Sequence, residues 1–206
     1  MTALALATLL CSRLCHDLVS PIGAVNNGLE LLDDDPDEET RREAQDLVRK
    51  SARHASAKLQ FMRVAFGAAS SLAESVSLEE PRRLTEGLLA DSGVVLHWVG
   101  SEATLDKDLV RLLMNFILIG YEALPRGGVL RVGVRKEGAI NLMISAEGPR
   151  ARLMPEAVKI LETGGDPNLL EPRMANCRLA YLLAQKFDAQ IRCLIEADAA
   201  QIAVTI

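Results

Sequence analysis

The sequence predicts an α+β chain: an N-terminal antiparallel helical hairpin that builds a four-helix bundle from two copies, followed by an α/β sandwich. Three observations carry this prediction. Two long stretches of helical apolar period, residues 3–32 and 36–66, flank Asp33-Asp34-Asp35-Pro36. Beyond residue 75 the period alternates between helix-like and strand-like. Leu and Ala dominate a chain with only 3% aromatic residues, which favours helical packing over an all-β sandwich.

The first helix is expected from near Ala3 to about Leu32. Leu14, Leu18, Ile22, Val25, Leu29 and Leu32 recur at steps of four and three, as one apolar stripe. Asp35 is the expected N-cap of the second helix, with Pro36 as its first residue and Glu38 completing a capping pattern. That helix is expected to end near Phe66. Its seam, Ala44, Val48, Ser51, Ala52, Ala55, Leu59, Met62 and Phe66, is thin and rich in alanine. Two such helices cannot enclose a core alone, whereas two copies can.

Residues 1–67 therefore read as the hairpin, 68–75 as a linker and 76–206 as the sandwich. Within the sandwich, Leu78 to Ala90 reads as helix, Val94 to Val99 as strand and Leu105 to Leu124 as helix, stopped by Pro125 and Gly127-Gly128. Val129 to Arg135 and Ile140 to Ser145 alternate at period two around Gly138, a hairpin pattern. Pro155 to Glu162 and Pro172 to Phe187 read as helices, and Gln190 to Ile195 and Gln201 to Ile206 as closing strands. The order implies one mixed sheet covered by helices on one face.

An apolar fraction of 49% supports a packed core rather than disorder. A formal charge of −5 offers no basis for nucleic-acid binding through phosphate neutralisation. Cys11, Cys15, Cys177 and Cys193 form no CxxC pair, and read as reduced thiols of a cytoplasmic protein. Cys11, Cys15 and His16 offer three metal-binding groups without an evident fourth, so no metal is expected. Thr2 to Leu10 is apolar but short and has no basic flank, so neither a signal peptide nor a membrane span is expected.

His16-Asp17 is the dipeptide with the clearest chemistry. At about 100° per residue, His16 points away from the Leu14–Leu18 stripe. Ser12, Ser20, Gly23 and Asn27 share its face, a strip of small and polar side chains that a second protein can approach. These four, with Arg13, are the expected partner-binding residues. His16 is the candidate nucleophile and Asp17 a candidate orienting residue, although Asp17 also reads as simple helix charge balance. His54, among Arg49, Lys50 and Arg53, reads as part of a solvated basic face, and His97 as structural.

An imidazole followed by a carboxylate, with Pro21 five positions on, resembles the phospho-acceptor segment of two-component histidine kinases. The domain order resembles their dimerisation and ATPase-like halves. The family's asparagine-rich box aligns with Met114 to Gly128, where Asn115 keeps the first asparagine and Ile119 replaces the second, a Mg²⁺ ligand in that family. The adenine-reading aspartate aligns with Ala146, next to the carboxylate of Glu147, and the second glycine of that box aligns with Arg150. Glu171 to Leu179 replaces the glycine-rich lid. A phospho-acceptor hairpin joined to a degenerate ATPase-like sandwich is similar to the alphaproteobacterial histidine phosphotransferases of the ChpT family. The stretch from His16 to Leu32 carries most of that resemblance.

The resemblance implies a relay. His16 would take a phosphoryl group from the receiver domain of a hybrid histidine kinase (CckA-like) and pass it to response regulators (CtrA-like and CpdR-like). It also implies a homodimer and no nucleotide cofactor, with Mg²⁺ supplied at the partner's receiver site. An ATP-dependent histidine kinase and a non-catalytic dimeric adaptor remain the competing readings of the residues.

Overall fold

Thr2 opens the first helix by accepting a hydrogen bond from the Ala5 N–H at 3.2 Å, and helix α1 (Ala3–Asp33) then runs unbroken through Pro21. The computed structural model describes residues 1–34, 36–67, 75–100 and 104–206. Helix α2 (Glu38–Ala65) starts later than the sequence suggests. Asp35 lies outside the described residues. The cap is Asp37, whose Oδ1 accepts from the Thr40 N–H at 2.8 Å, and Pro36 precedes the helix instead of opening it.

The two helices pack antiparallel through small residues. An added Cβ at Gly28 would stand 2.6 Å from Val48 Cγ2 and 3.2 Å from the Ala44 carbonyl, so the backbones are already in contact there. The packing line of α1 is not the single stripe read from the sequence. Leu6, Leu10 and Leu14 pack against the sandwich core, and Pro21 and Gly28 are buried farther along the same side. Val19, Ile22 and Leu29 stay exposed on a neighbouring face, with Leu47 and Leu59 exposed on α2. The expected stripe is thus divided between an internal packing line and an unpartnered apolar face.

Residues 68–74 of the expected linker lie outside the described residues. Ser75 already belongs to strand β1 (Ser75–Ser77), which pairs antiparallel with β3 (Thr104–Asp106) in a small sheet that the sequence does not announce. Between them come α3 (Glu79–Leu89) and β2 (Val94–Gly100). Leu105, expected in a helix, is in β3, and α4 (Lys107–Glu122) begins after Asp106, whose carboxylate accepts from the Asp108 N–H at 2.7 Å.

Strands β4 (Gly128–Glu137) and β5 (Ala139–Glu147) form the expected hairpin. Helix α5 (Pro155–Thr163), one 3-10 turn (Pro172–Met174) and α6 (Ala175–Gln185) follow, then β6 (Arg192–Glu196) and β7 (Ala199–Thr205). The main sheet has the order β2-β4-β5-β7-β6, with only β2 and β4 parallel. Its inner face, including Leu130, Val132, Leu142, Ile144 and Ile202, packs under the helices, and Leu109 to Gly120 are buried along α4 apart from Arg111. The opposite face carries His97, Arg131, Ser145 and Gln201 in one register row. The main sheet is thus mixed and covered by helices on one face, as expected, and β1–β3 is a second, two-stranded sheet.

Candidate phospho-acceptor site

His16 stands midway along α1 with its side chain 84% exposed. Its Nδ1 lies 3.2 Å from Oδ1 of Asp17, which is itself only 9% exposed. The other oxygen of that carboxylate, Oδ2, accepts from Arg13 Nε at 2.9 Å and lies 3.6 Å from Lys58 Nζ on α2. The two oxygens are thus divided, one toward the imidazole and one toward two cations. Burial opposes ionisation of Asp17, but the Arg13 hydrogen bond and charge, then Lys58 and His16, more than offset it and hold the carboxyl below its ordinary range. The site residue is a carboxylate at neutral pH, able to accept an N–H from the ring.

Arg13 is 5% exposed. One turn before Asp17 on α1, it points into the seam between the hairpin and the sandwich. Its Nη1 donates to the Arg173 carbonyl in the 3-10 turn and its Nη2 to Glu122 Oε1 at the end of α4. Burial opposes its charge, and Glu122 and Asp17 more than compensate, so its pKa stays above the ordinary value. This corrects one expectation. The sequence places Arg13 among the partner-binding residues, but burial and these bonds commit it to an internal network.

The other expected contact residues fall where the helical geometry puts them. Ser12, Ser20 and Asn27 are exposed and Gly23 is half-buried, all on the His16 side of α1. An added Cβ at Gly23 would meet nothing within 4 Å, so its smallness is not used inside the chain. Lys50, Arg53, His54 and Lys58 of α2 line an open cleft of about 620 Å³ with Asp17 and Ser20. Lys50, Arg53 and His54 are exposed, as expected of a solvated basic face, and they share this cleft with Asp17 and Ser20. Lys58 and Glu122 are the residues that sequence reasoning missed. The i, i+4 spacing of Arg13 and Asp17 was a readable signal. Glu122, 109 positions from Arg13, left none.

No group of three or more metal-ligating side chains occurs among the described residues. Cys11 and Cys15 are exposed and free, whereas burial raises the thiol of Cys177 far above its normal range and that of Cys193 to about 12.

The positions that the resemblance aligns with a nucleotide site lie partly in the core. Ala146 and Ile119 are 1% and 3% exposed, inside the apolar core. Asn115 is fully buried and donates to the carbonyls of Ala65 and Arg111, both at 2.8 Å, tying the end of α2 to α4. Glu147 is on the opposite sheet face from Ala146, bonded to Ser145 at 2.9 Å and Arg131 at 3.3 Å. Arg150 keeps a left-handed backbone, φ 63°, at a position where the resemblance places a glycine.

Helix α1 is also long and apolar enough, at 31 residues, to cross a membrane by length and composition alone. The ionised Arg13–Asp17 pair at its middle, engaged with Lys58 and Glu122, would be costly in hydrocarbon.

Residues 78–199 match the family model of the histidine phosphotransferase C-terminal domain. The protein phosphotransferase ChpT of Brucella abortus (strain 2308) is 39% identical over 197 residues, covering 93% of this chain and 90% of that relative. A solved bacterial phosphotransferase superposes with a TM-score of 0.87 at 33% identity, covering 99% of this chain and 97% of that one. The histidine kinase AdeS of Acinetobacter baumannii aligns more loosely, with a TM-score of 0.48 at 14% identity. An exposed helical histidine braced by a buried carboxylate, a matching sandwich and relatives that span nearly the whole chain lead to one conclusion: this chain belongs to the histidine phosphotransferase family.

Proposed function

We propose that the chain relays a phosphoryl group between receiver domains through His16. The observation that carries this reading is the exposed imidazole whose Nδ1 is held by an ionised Asp17. The contact selects the tautomer with the proton on Nδ1 and leaves the Nε2 lone pair facing solvent. In the forward step Nε2 attacks the phosphorus of an aspartyl phosphate on the donor receiver. The P–N bond forms, the P–O bond breaks, and its electron pair stays with the departing carboxylate. The ring becomes a cation, which Asp17 stabilises without taking its proton. A second receiver reverses the step. In-line transfer of this kind needs positioning more than acid–base chemistry.

Mg²⁺ belongs to the acidic pocket of the receiver in this scheme. The partners are a hybrid-kinase receiver of the CckA-like kind and response regulators of the CtrA-like and CpdR-like kinds. They dock over Ser12, Ser20, Gly23 and Asn27, with the basic rim of the neighbouring cleft drawing in an acidic pocket. Two copies of the chain pair through the exposed face of Val19, Ile22 and Leu29, which continues the apolar stripe. The chain works in the cytoplasm, without nucleotide, since buried Ala146 and Ile119 offer neither an adenine acceptor nor a metal ligand.

A two-receiver reconstitution tests the relay. A phosphorylated donor receiver and an unphosphorylated acceptor receiver are mixed with wild-type protein or with His16→Ala. Label is expected on the acceptor only with wild type. Equal acceptor labelling through His16→Ala would sink the proposal.

A further inference from the structure

Asp17 can steer the imidazole only if its own carboxylate is fixed, and the α1 side chain that holds it, Arg13, is itself anchored outside α1. Among the described residues the Asp17 Oδ1 is paired with His16, across a single step of chain. Its Oδ2 is held by Arg13 Nε at 2.9 Å, with Lys58 at 3.6 Å. The two other nitrogens of Arg13 donate to the sandwich, Nη2 to Glu122 and Nη1 to the Arg173 carbonyl. A planar guanidinium with donors engaged at three points has one orientation available. From the sandwich to the acceptor runs a continuous line: Glu122, Arg13, Asp17, His16.

We propose that Arg13 is a positioning residue for phosphotransfer, clamped by Glu122 and the Arg173 carbonyl so that the Asp17 carboxylate is presented to Nδ1 of His16. The sandwich is then part of the acceptor site. It sets the tautomer of a histidine that it does not touch, through a side chain that crosses the seam between the two regions. The stretch Glu171 to Arg178, which replaces a glycine-rich lid, supplies the Arg173 carbonyl for this purpose. Lys58 supports the same oxygen from α2, so the clamp draws on the hairpin and the sandwich together. The inference rests on the reading of His16 as the acceptor.

The experiment compares wild type with Arg13→Met, Glu122→Ala and Glu122→Gln. Two readouts are taken: the transfer rate from a receiver domain phosphorylated by a small acyl phosphate, and the His16 tautomer from ring nitrogen shifts. Spectra are recorded at about pH 8.5, where a free imidazole is neutral. In wild type the Nδ1–H form dominates. Arg13→Met is expected to give a mixture of tautomers and a transfer rate lower by about 10-fold or more. Glu122→Ala removes one partner of the buried Arg13 guanidinium and is expected to move both readouts the same way by less, with the melting temperature recorded alongside. Glu122→Gln keeps an acceptor in place and should restore most of the loss.

An unchanged tautomer and rate in both Arg13→Met and Glu122→Ala would overturn the proposal. So would a lower melting temperature with an unaltered tautomer, which is the signature of packing alone. If Arg13→Met does not fold, the Glu122 pair decides. The tautomer readout needs no partner. A wild-type protein that takes no phosphate defeats the functional reading, and the ring spectra still decide the clamp.

Discussion

At the residue scale one carboxylate, Asp17, joins the exposed imidazole to the buried network. Asp17 titrates below its ordinary range, since Arg13 and Lys58 overcome the cost of burying it. A depressed folded pKa contributes stability that is fully present above the unfolded value, about 3.9, and is lost as pH falls through the folded value. Acid denaturation of wild type should therefore steepen below about pH 4. Asp17→Asn should flatten that limb and slow phosphotransfer while leaving the exposed ring of His16 in place. An acid limb identical in the variant would show that the carboxylate is not coupled to folding. His16 and its strip of Ser12, Ser20, Gly23 and Asn27 were legible because a helix fixes which residues share a face. Arg13 was misplaced for a physical reason. Its partners Glu122 and the Arg173 carbonyl come from sequence-distant elements, and an isolated arginine beside a histidine reads as surface.

At the scale of the element, two glycines of α1 do opposite work. Gly28 lets α1 and α2 touch, because any Cβ there would meet Val48 and the Ala44 carbonyl. Gly28→Val should cost about 1–3 kcal/mol in chemical denaturation, by overpacking. Gly23 faces open space, so Gly23→Trp should keep wild-type stability yet block transfer by filling the docking strip. Normal transfer by Gly23→Trp would move docking elsewhere. Helices and hairpins were readable from their period. The short β1–β3 pair was not, since three-residue strands carry too little pattern, and Leu105 was absorbed into the following helix. The apolar stripe of α1 was read as one line because period alone cannot say which neighbour each leucine meets. The structure sends Leu10 and Leu14 toward the sandwich and leaves Ile22 and Leu29 exposed.

At the scale of the whole molecule, that exposed face predicts association. Wild type should sediment as a dimer at micromolar concentration, and Ile22→Asp should split it by burying an unpaired charge. A monomeric wild type would contradict the pairing. The sandwich is bonded to both helices of the hairpin, through Asn115 of α4 to the Ala65 carbonyl of α2 and through Arg13 of α1 to Glu122 of α4. Calorimetric titration with Mg-ATP should accordingly give no saturable heat at millimolar nucleotide, whereas micromolar affinity would favour a kinase. The central claim, that His16 carries the phosphoryl group, is tested most directly by mapping. The protein is mixed with a phosphorylated receiver domain and digested under alkaline conditions, and the modified peptide is sequenced. Acid-labile phosphate is expected on the peptide containing His16 and is lost in His16→Ala. Phosphate on another residue, or none at all, would contradict it.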